Sequence, residues 1–311
     1  GMTGTPVLNS IEDLFSQVRF LDKGATLGTN YFSFRARFLY DKNRGMPKQR
    51  YFPDWRPQPG AEERLHALIQ PFTTRFKKEE CIDLPPLVET TIPVIMGPKQ
   101  EKLYNEMKED LLTFLDGKEV VATMALTKLL RLQQMASGFC HTFDGKDLEI
   151  SDSPKAEALK EILSDISPKH KTIIWAAWVF NYETIRKVCD ELKIGYVELH
   201  GGVPIPKRPE IAEKFRKDPS IRVVICHPEA TSEGINLVEA SYSIVYSRTF
   251  SLKHEEQSIA RNYRGGSTMH EKVTRINLIT KNTVDEAILK ALKQKKDISV
   301  KVLDGLKEIL T

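Results

Sequence analysis

Two arginines set three residues apart, Arg261 and Arg264, close the stretch QSIARNYRGGS at residues 257–267. Arginine is planar, always charged and matched to the geometry of phosphate. The preceding SLKHEEQSIARNY has helix-forming composition with neither Gly nor Pro, and residues three apart on a helix share a face. Gly265 and Gly266 then supply a stop, because glycine adopts the left-handed conformation at a helix end at little cost. The spacing predicts a last helical turn that presents two guanidiniums side by side toward an anion. The competing reading is a pair of cations that offsets the helix dipole, worth about 0.3–1 kcal/mol.

Other stretches offer groups of the same chemical kind. HPEATSEGINLVEA, residues 227–240, carries Thr231, Ser232 and Gly234, whose backbone N–H groups and hydroxyls suit a phosphate. It reads equally as a connecting loop with Asn236 as a turn residue. LHGGV places His200, Gly201 and Gly202 after an apolar run, where small residues let a backbone approach a ligand or simply turn tightly. TGTP, residues 3–6, is a polar loop that says little alone.

These residues need a frame. After Asp152-Ser153-Pro154 the apolar runs KTIIWAAW, YVELH, IRVVIC, YSIVYS and VTRINLI alternate with helical stretches such as NYETIRKVCDEL and PEIAEKFRKD. Short apolar runs bounded by polar residues are buried parallel strands, and strand–helix alternation gives a doubly wound α/β sheet with helices on both faces. Binding loops in such sheets lie beyond the carboxyl ends of the strands. Residues 178–181, 200–202 and 227–236 fall there, whereas the arginine pair ends a helix.

Upstream, helical patterns such as IEDLFSQVRFL, LYNEMKEDLLTFL and ATMALTKLLRLQQMA dominate, with a β-like stretch at LPPLVETTIPVIM, residues 84–96. The expected organisation is a short remnant over 1–10, a mainly helical region over 11–150, an α/β lobe over 151–285 and a helical extension over 286–311.

The chain has 311 residues, 41% hydrophobic and 28% charged, with a net charge of +4, an ordinary globular composition long enough for two domains. The mild positive balance permits nucleic acid without demanding it. Four scattered cysteines form no CxxC pair, so neither a zinc site nor a disulfide framework is expected, and a reducing cytoplasm fits. No apolar run of about 18 residues predicts a membrane span, and no secretory pattern opens the sequence.

The order of the pieces is more informative than any one of them. TGTPVLNS, IEDLFSQVRFL, GATLGTNYFSFRARF, RFKKEECIDLPP, KLLRLQQMASGF, KTIIWAAW, HGG, EGINL and QxxxRxxR resemble, in sequence, the Snf2 family of superfamily 2 helicase-like ATPases from motif III through motif VI. The resemblance covers nearly the whole chain, to about Leu292. It implies a second RecA-like lobe preceded by helical insertions, with ATP and Mg²⁺ held mainly by a first lobe that this sequence does not contain. It implies Arg264 as the arginine finger on the γ-phosphate, Arg261 as its partner and Gln257 as the glutamine opening motif VI. Gly234 and Asn236 fall on motif V, which joins nucleotide to DNA. His200 and Gly201, with Thr231 and Ser232, fall on the implied track for the backbone of double-stranded DNA.

Two departures stand out from the family pattern. Ser267 replaces the glutamine that follows the finger, and Thr231 and Ser232 stand where glycines are usual. His227-Pro228 is similar to phage and bacterial members, which implies the cytoplasm of a bacterial or phage-infected cell.

No GxxxxGK[ST] loop and no DEAH-like quartet occur in the 311 residues. The expected identity is thus the C-terminal part of a DNA translocase or helicase, inactive toward ATP by itself. A non-catalytic DNA-binding or regulatory module with the same fold is the alternative. A Rossmann-type dinucleotide protein is disfavoured, since no GxGxxG follows the first strand. Arg35, Arg37, Lys42, Arg44, Lys48, Arg50 and Arg56 interleave with Tyr31, Phe34, Phe38, Tyr51 and Trp55, a pattern that stacks on unpaired bases or packs the helical region.

Overall fold

Five apolar runs between residues 171 and 280, joined by one from far upstream, build a six-stranded parallel sheet. The computed structural model describes residues 1, 7, 10–46, 53–74, 83–116, 122–142, 145–150, 153–231 and 235–294, with backbone alone at 114–116 and 122–125. The chain divides into two units, Gly1–Cys81 and Ile82–Thr311.

In the first unit, helices α1 (Asp13–Asp22), α2 (Tyr31–Phe38) and α3 (Ala61–Ile69) accompany a small antiparallel pair, β1 (Leu39–Asp41) with β2 (Trp55–Pro57). Asn30 starts α2 by accepting the backbone N–H groups of Phe32 and Ser33 on its side-chain oxygen. Phe15, Val18, Phe34, Phe38 and Leu65 make the core. The basic and aromatic residues largely serve this packing. Arg35 lies 4.6 Å from the ring centres of both Tyr31 and Trp55 and bonds Glu12 at 2.8 Å. Lys42 and Arg44 are exposed, while Lys48, Arg50 and Tyr51 lie outside the described residues.

In the second unit, the strands are β3 (Leu87–Val94), β6 (Lys171–Trp175), β7 (Gly195–Leu199), β8 (Ile221–Cys226), β9 (Ala240–Val245) and β10 (Val273–Thr280), in the order β3-β10-β9-β6-β8-β7. Every pairing is parallel. The β-like stretch at 84–96 therefore forms the edge of this sheet, beside a strand more than 170 residues later. A short antiparallel hairpin, β4 (Phe139–His141) with β5 (Asp147–Glu149), precedes the central strands.

Helices α6 (Lys155–Ile166) and α7 (Val179–Glu191) bury Leu159, Leu163, Tyr182 and Ile185 against Ile174, Val223 and Ile225 on one face. Helix α8 (Arg208–Lys217) sets Ala212 and Phe215 against Ile173 and Val224 on the other. Residues alternate faces along each strand, which is why both faces of the central strands are apolar. Helices α4 (Pro98–Asp116), α5 (Ala122–Ala136) and α10 (Val284–Lys293) share a further core through Tyr104, Leu132, Met135 and Ile288. A buried ion pair, Lys155 to Asp285 at 3.0 Å, ties the start of α6 to α10. No described helix is long and apolar enough to cross a membrane.

Candidate functional site

Helix α9 (Leu252–Ile259) begins at Ser251, whose hydroxyl accepts the backbone N–H of His254, and it ends before the arginines. The predicted side-by-side display on a helical turn is corrected accordingly. The turn is held by the segment that enters β9. The Arg261 carbonyl accepts the N–H of Leu237 at 3.0 Å, and the Asn262 side-chain amide donates to the Ala240 carbonyl at 3.0 Å. One helical bond persists beyond α9, from the Tyr263 N–H to the Ile259 carbonyl at 3.1 Å. Gly266 is left-handed at φ 103° and opens a 3₁₀ turn, Ser267–Met269, rather than capping α9.

The same contacts join two stretches that the sequence separates. Arg261 is buried and donates to the Ile235 carbonyl at 3.2 Å, and His270 bonds the Val238 carbonyl at 2.7 Å. Arg264 is half-buried and makes no ion pair among the described residues. Burial, and then the neighbouring Arg264 charge, holds the Arg261 guanidinium below its ordinary range. Two like charges are thus kept together, a state that favours an anion between or beside them.

Two amides here carry unanswered acceptors. The buried Oδ1 of Asn236 and Oε1 of Gln257 have no hydrogen-bond partner among the described residues. Such groups are uncommon in folded proteins and call for a reason. Thr231 is buried, and its hydroxyl donates to the loop carbonyls of His227 and Pro228. Ser232 and Gly234 lie outside the described residues.

The His200 loop is a different kind of place. The Gly202 N–H donates to His200 Nδ1 at 3.1 Å, so the other nitrogen carries hydrogen and meets Glu198 at 2.9 Å. The imidazole stacks on Tyr182 with centroids 4.8 Å apart. Arg186 grips Glu198 through two bonds, at 2.5 and 3.2 Å. Burial opposes the Glu198 charge, but Arg186 and His200 outweigh it and hold the carboxyl below its usual range. Gly201 is exposed in the turn.

Several positioning residues carried no sequence signal. Arg208 donates to the Val203 carbonyl at 3.1 Å and to the Ala230 carbonyl at 2.8 Å, bridging the His200 loop to the Thr231 loop. Ser247 receives the Ala177 N–H and donates to Asn181, linking the ends of β9 and β6 to α7. Arg275, inside the apolar run VTRINLI, was the one visible clue, because a charge in a buried strand requires partners.

The chain matches two family models, the SNF2-related domain over residues 2–141 and the helicase conserved C-terminal domain over residues 154–266. Protein p41 of Acyrthosiphon pisum secondary endosymbiont phage 1 is 24% identical, covering 98% of this chain and 64% of its own length. The mouse DNA annealing helicase and endonuclease ZRANB3 is 26% identical, over 99% of this chain and 27% of its own length. This chain therefore spans less than two thirds of either relative. Among solved structures, the Sulfolobus solfataricus SWI2/SNF2 ATPase core in complex with dsDNA is 27% identical with a TM-score of 0.56, covering 95% of this chain and 61% of that one. The C-terminal part of the Fun30 ATPase domain shares the fold at 19% identity and a TM-score of 0.58, covering 73% of this chain and 97% of that one.

Proposed function

Because this chain belongs to the Snf2 family of superfamily 2 helicase-like ATPases, in its C-terminal region, we propose that it is the half of a DNA-dependent ATPase that meets a nucleotide held by another protein body. The observation that carries this reading is the turn at 261–264. Arg264 stands half-exposed with no carboxylate partner among the described residues, beside a buried Arg261, while Asn236 and Gln257 keep buried acceptors unpaired.

The residues present fit the phosphate end of a nucleotide. Arg264 offers the free donors that stabilise charge growing on a transferring phosphoryl group, a contribution of about 10³–10⁵ in rate. ATP, with Mg²⁺ held mainly by the other body, supplies the phosphoryl group and the drive for movement. Arg261, anchored to the Ile235 carbonyl, keeps the turn in place and adds its charge. The unanswered oxygens of Gln257 and Asn236 are acceptors, so they suit a donor such as a ribose hydroxyl or a bound water rather than the phosphate itself, and Gly234 lies in the same motif as Asn236. His200 and Gly201, in the loop that follows β7, serve as a backbone track for double-stranded DNA, while the buried Thr231 supports the loop after β8 in which the sequence places Ser232. The dsDNA-bound relative supports that assignment, as does the positive net charge of +4.

The test is complementation. The chain, mixed with a fragment carrying a Walker A loop and a DEAH-type quartet from a family member, is assayed for DNA-stimulated phosphate release. Activity is expected only from the mixture and only with Arg264 intact. Hydrolysis by the chain alone that disappears in Arg264→Ala would refute the need for a second body. Salt-sensitive DNA binding without any stimulated hydrolysis would instead favour the non-catalytic module.

A further inference from the structure

We propose that Arg248, Arg275 and Glu255 form a site for one monatomic anion, chloride being the physiological species, beneath helix α9. Two guanidiniums share a single carboxylate there. Arg275 donates to Glu255 Oε1 at 2.9 Å, and Arg248 approaches the same oxygen at 3.6 Å. Both arginines are almost wholly buried, 4% exposed for Arg248 and 1% for Arg275. The remaining bonds are to neutral groups. Arg248 donates to Asn277 at 2.7 Å, and Arg275 donates to Ser258 at 3.0 Å and to Ser243 at 3.4 Å.

The node therefore carries one positive charge in excess, in a place where an uncompensated charge is costly. The next carboxylates do not supply the balance. Asp285 is committed to Lys155 at 3.0 Å, and Glu89 lies 3.9 Å from Lys293. His254, the other titratable neighbour, bonds the Thr249 hydroxyl at 3.1 Å. Two buried donors also remain unanswered, the NH1 group of Arg248 and the Nε of Arg275.

Both arginines line one small cavity, together with Glu255 itself, Trp175, Thr249 and His254. Its volume is about 10 Å³, room for a single water-sized guest. A water accepts hydrogen bonds but leaves the excess charge standing, and a phosphate has no room. A single-atom anion offsets the charge within that volume. Such an ion fastens α9, which carries Gln257, to β9 and β10.

Thermal unfolding of the full chain in sodium chloride against sodium gluconate, at matched ionic strength and pH, tests the proposal. Chloride is expected to raise Tm along a saturating curve, by about 3–6 °C at ten times its Kd, while gluconate does not. Arg275→Met leaves Arg248 balanced by Glu255 and abolishes the chloride-specific rise. Glu255→Gln leaves two uncompensated charges and steepens it. Crystals of the unaltered chain in sodium bromide supply a readout independent of any variant, with an anomalous peak expected at the node. Coincident chloride and gluconate curves, or a water alone at that position, overturn the proposal.

Discussion

The loop after β7 and the turn after α9 treat their polar groups in opposite ways. Around His200 each one is answered within the chain, from the Gly202 N–H through imidazole and carboxylate to Arg186. Arg264 makes no ion pair among the described residues, and the motif residues Asn236 and Gln257 keep buried amide oxygens unanswered. A satisfied network stabilises and orients, whereas orphaned buried groups cost stability and persist where something outside completes them. The contrast separates a loop whose side chains hold one another from a turn whose outward arginine finds no ion-pair partner among the described residues.

The comparison breaks most sharply at Arg264. Arg264→Ala is expected to lower DNA-stimulated phosphate release in the complemented enzyme by about 10³–10⁵. Its urea midpoint should move by less than about 0.5 kcal/mol in stability, since no described ion pair is lost. A large stability loss would mean that Arg264 holds the fold rather than a ligand.

A fully paired charge elsewhere in the same unit should show the reverse. Asp285→Ala strands the buried Lys155 ammonium and is expected to destabilise the chain by about 3–5 kcal/mol in urea unfolding. Gln257→Met, by contrast, removes an unanswered oxygen. It should leave stability unchanged or raise it by about 1 kcal/mol, while phosphate release falls. Clear destabilisation by that substitution would show that the amide already has a structural task.

The smallest effect belongs to Glu198. Its folded carboxyl titrates below the usual range, so its contribution is present above the unfolded value, about 4.3, and fades as pH falls through the folded one. Arg186 is 40% exposed on its side chain, so Glu198→Gln should cost only about 0.5–1 kcal/mol at neutral pH. The same substitution should flatten the acid limb of the stability profile, measured by urea midpoints from pH 6 to pH 3.

Strand identity was legible because buried parallel strands are short apolar runs. KTIIWAAW, YVELH, IRVVIC, YSIVYS and VTRINLI all became strands of one sheet. The helix end was misread because composition favoured continuation to Tyr263, while residues 261–262 are held by the distant Leu237 N–H and, through the Asn262 side chain, by the Ala240 carbonyl. Arg208 was invisible for a similar reason, since its partners are backbone carbonyls of two distant loops.

The sequence alone determined the doubly wound class and the family, because apolar periodicity and motif order are local or linear properties. Only the tertiary structure decided that residues 87–94 flank β10, that the arginine turn rests on residues 235–240, and that Arg248 and Arg275 share Glu255. Those outcomes depend on which backbone and side-chain groups meet across the fold. Hydrogen bonding and charge balance act between atoms in space, so spacing along the chain does not encode them.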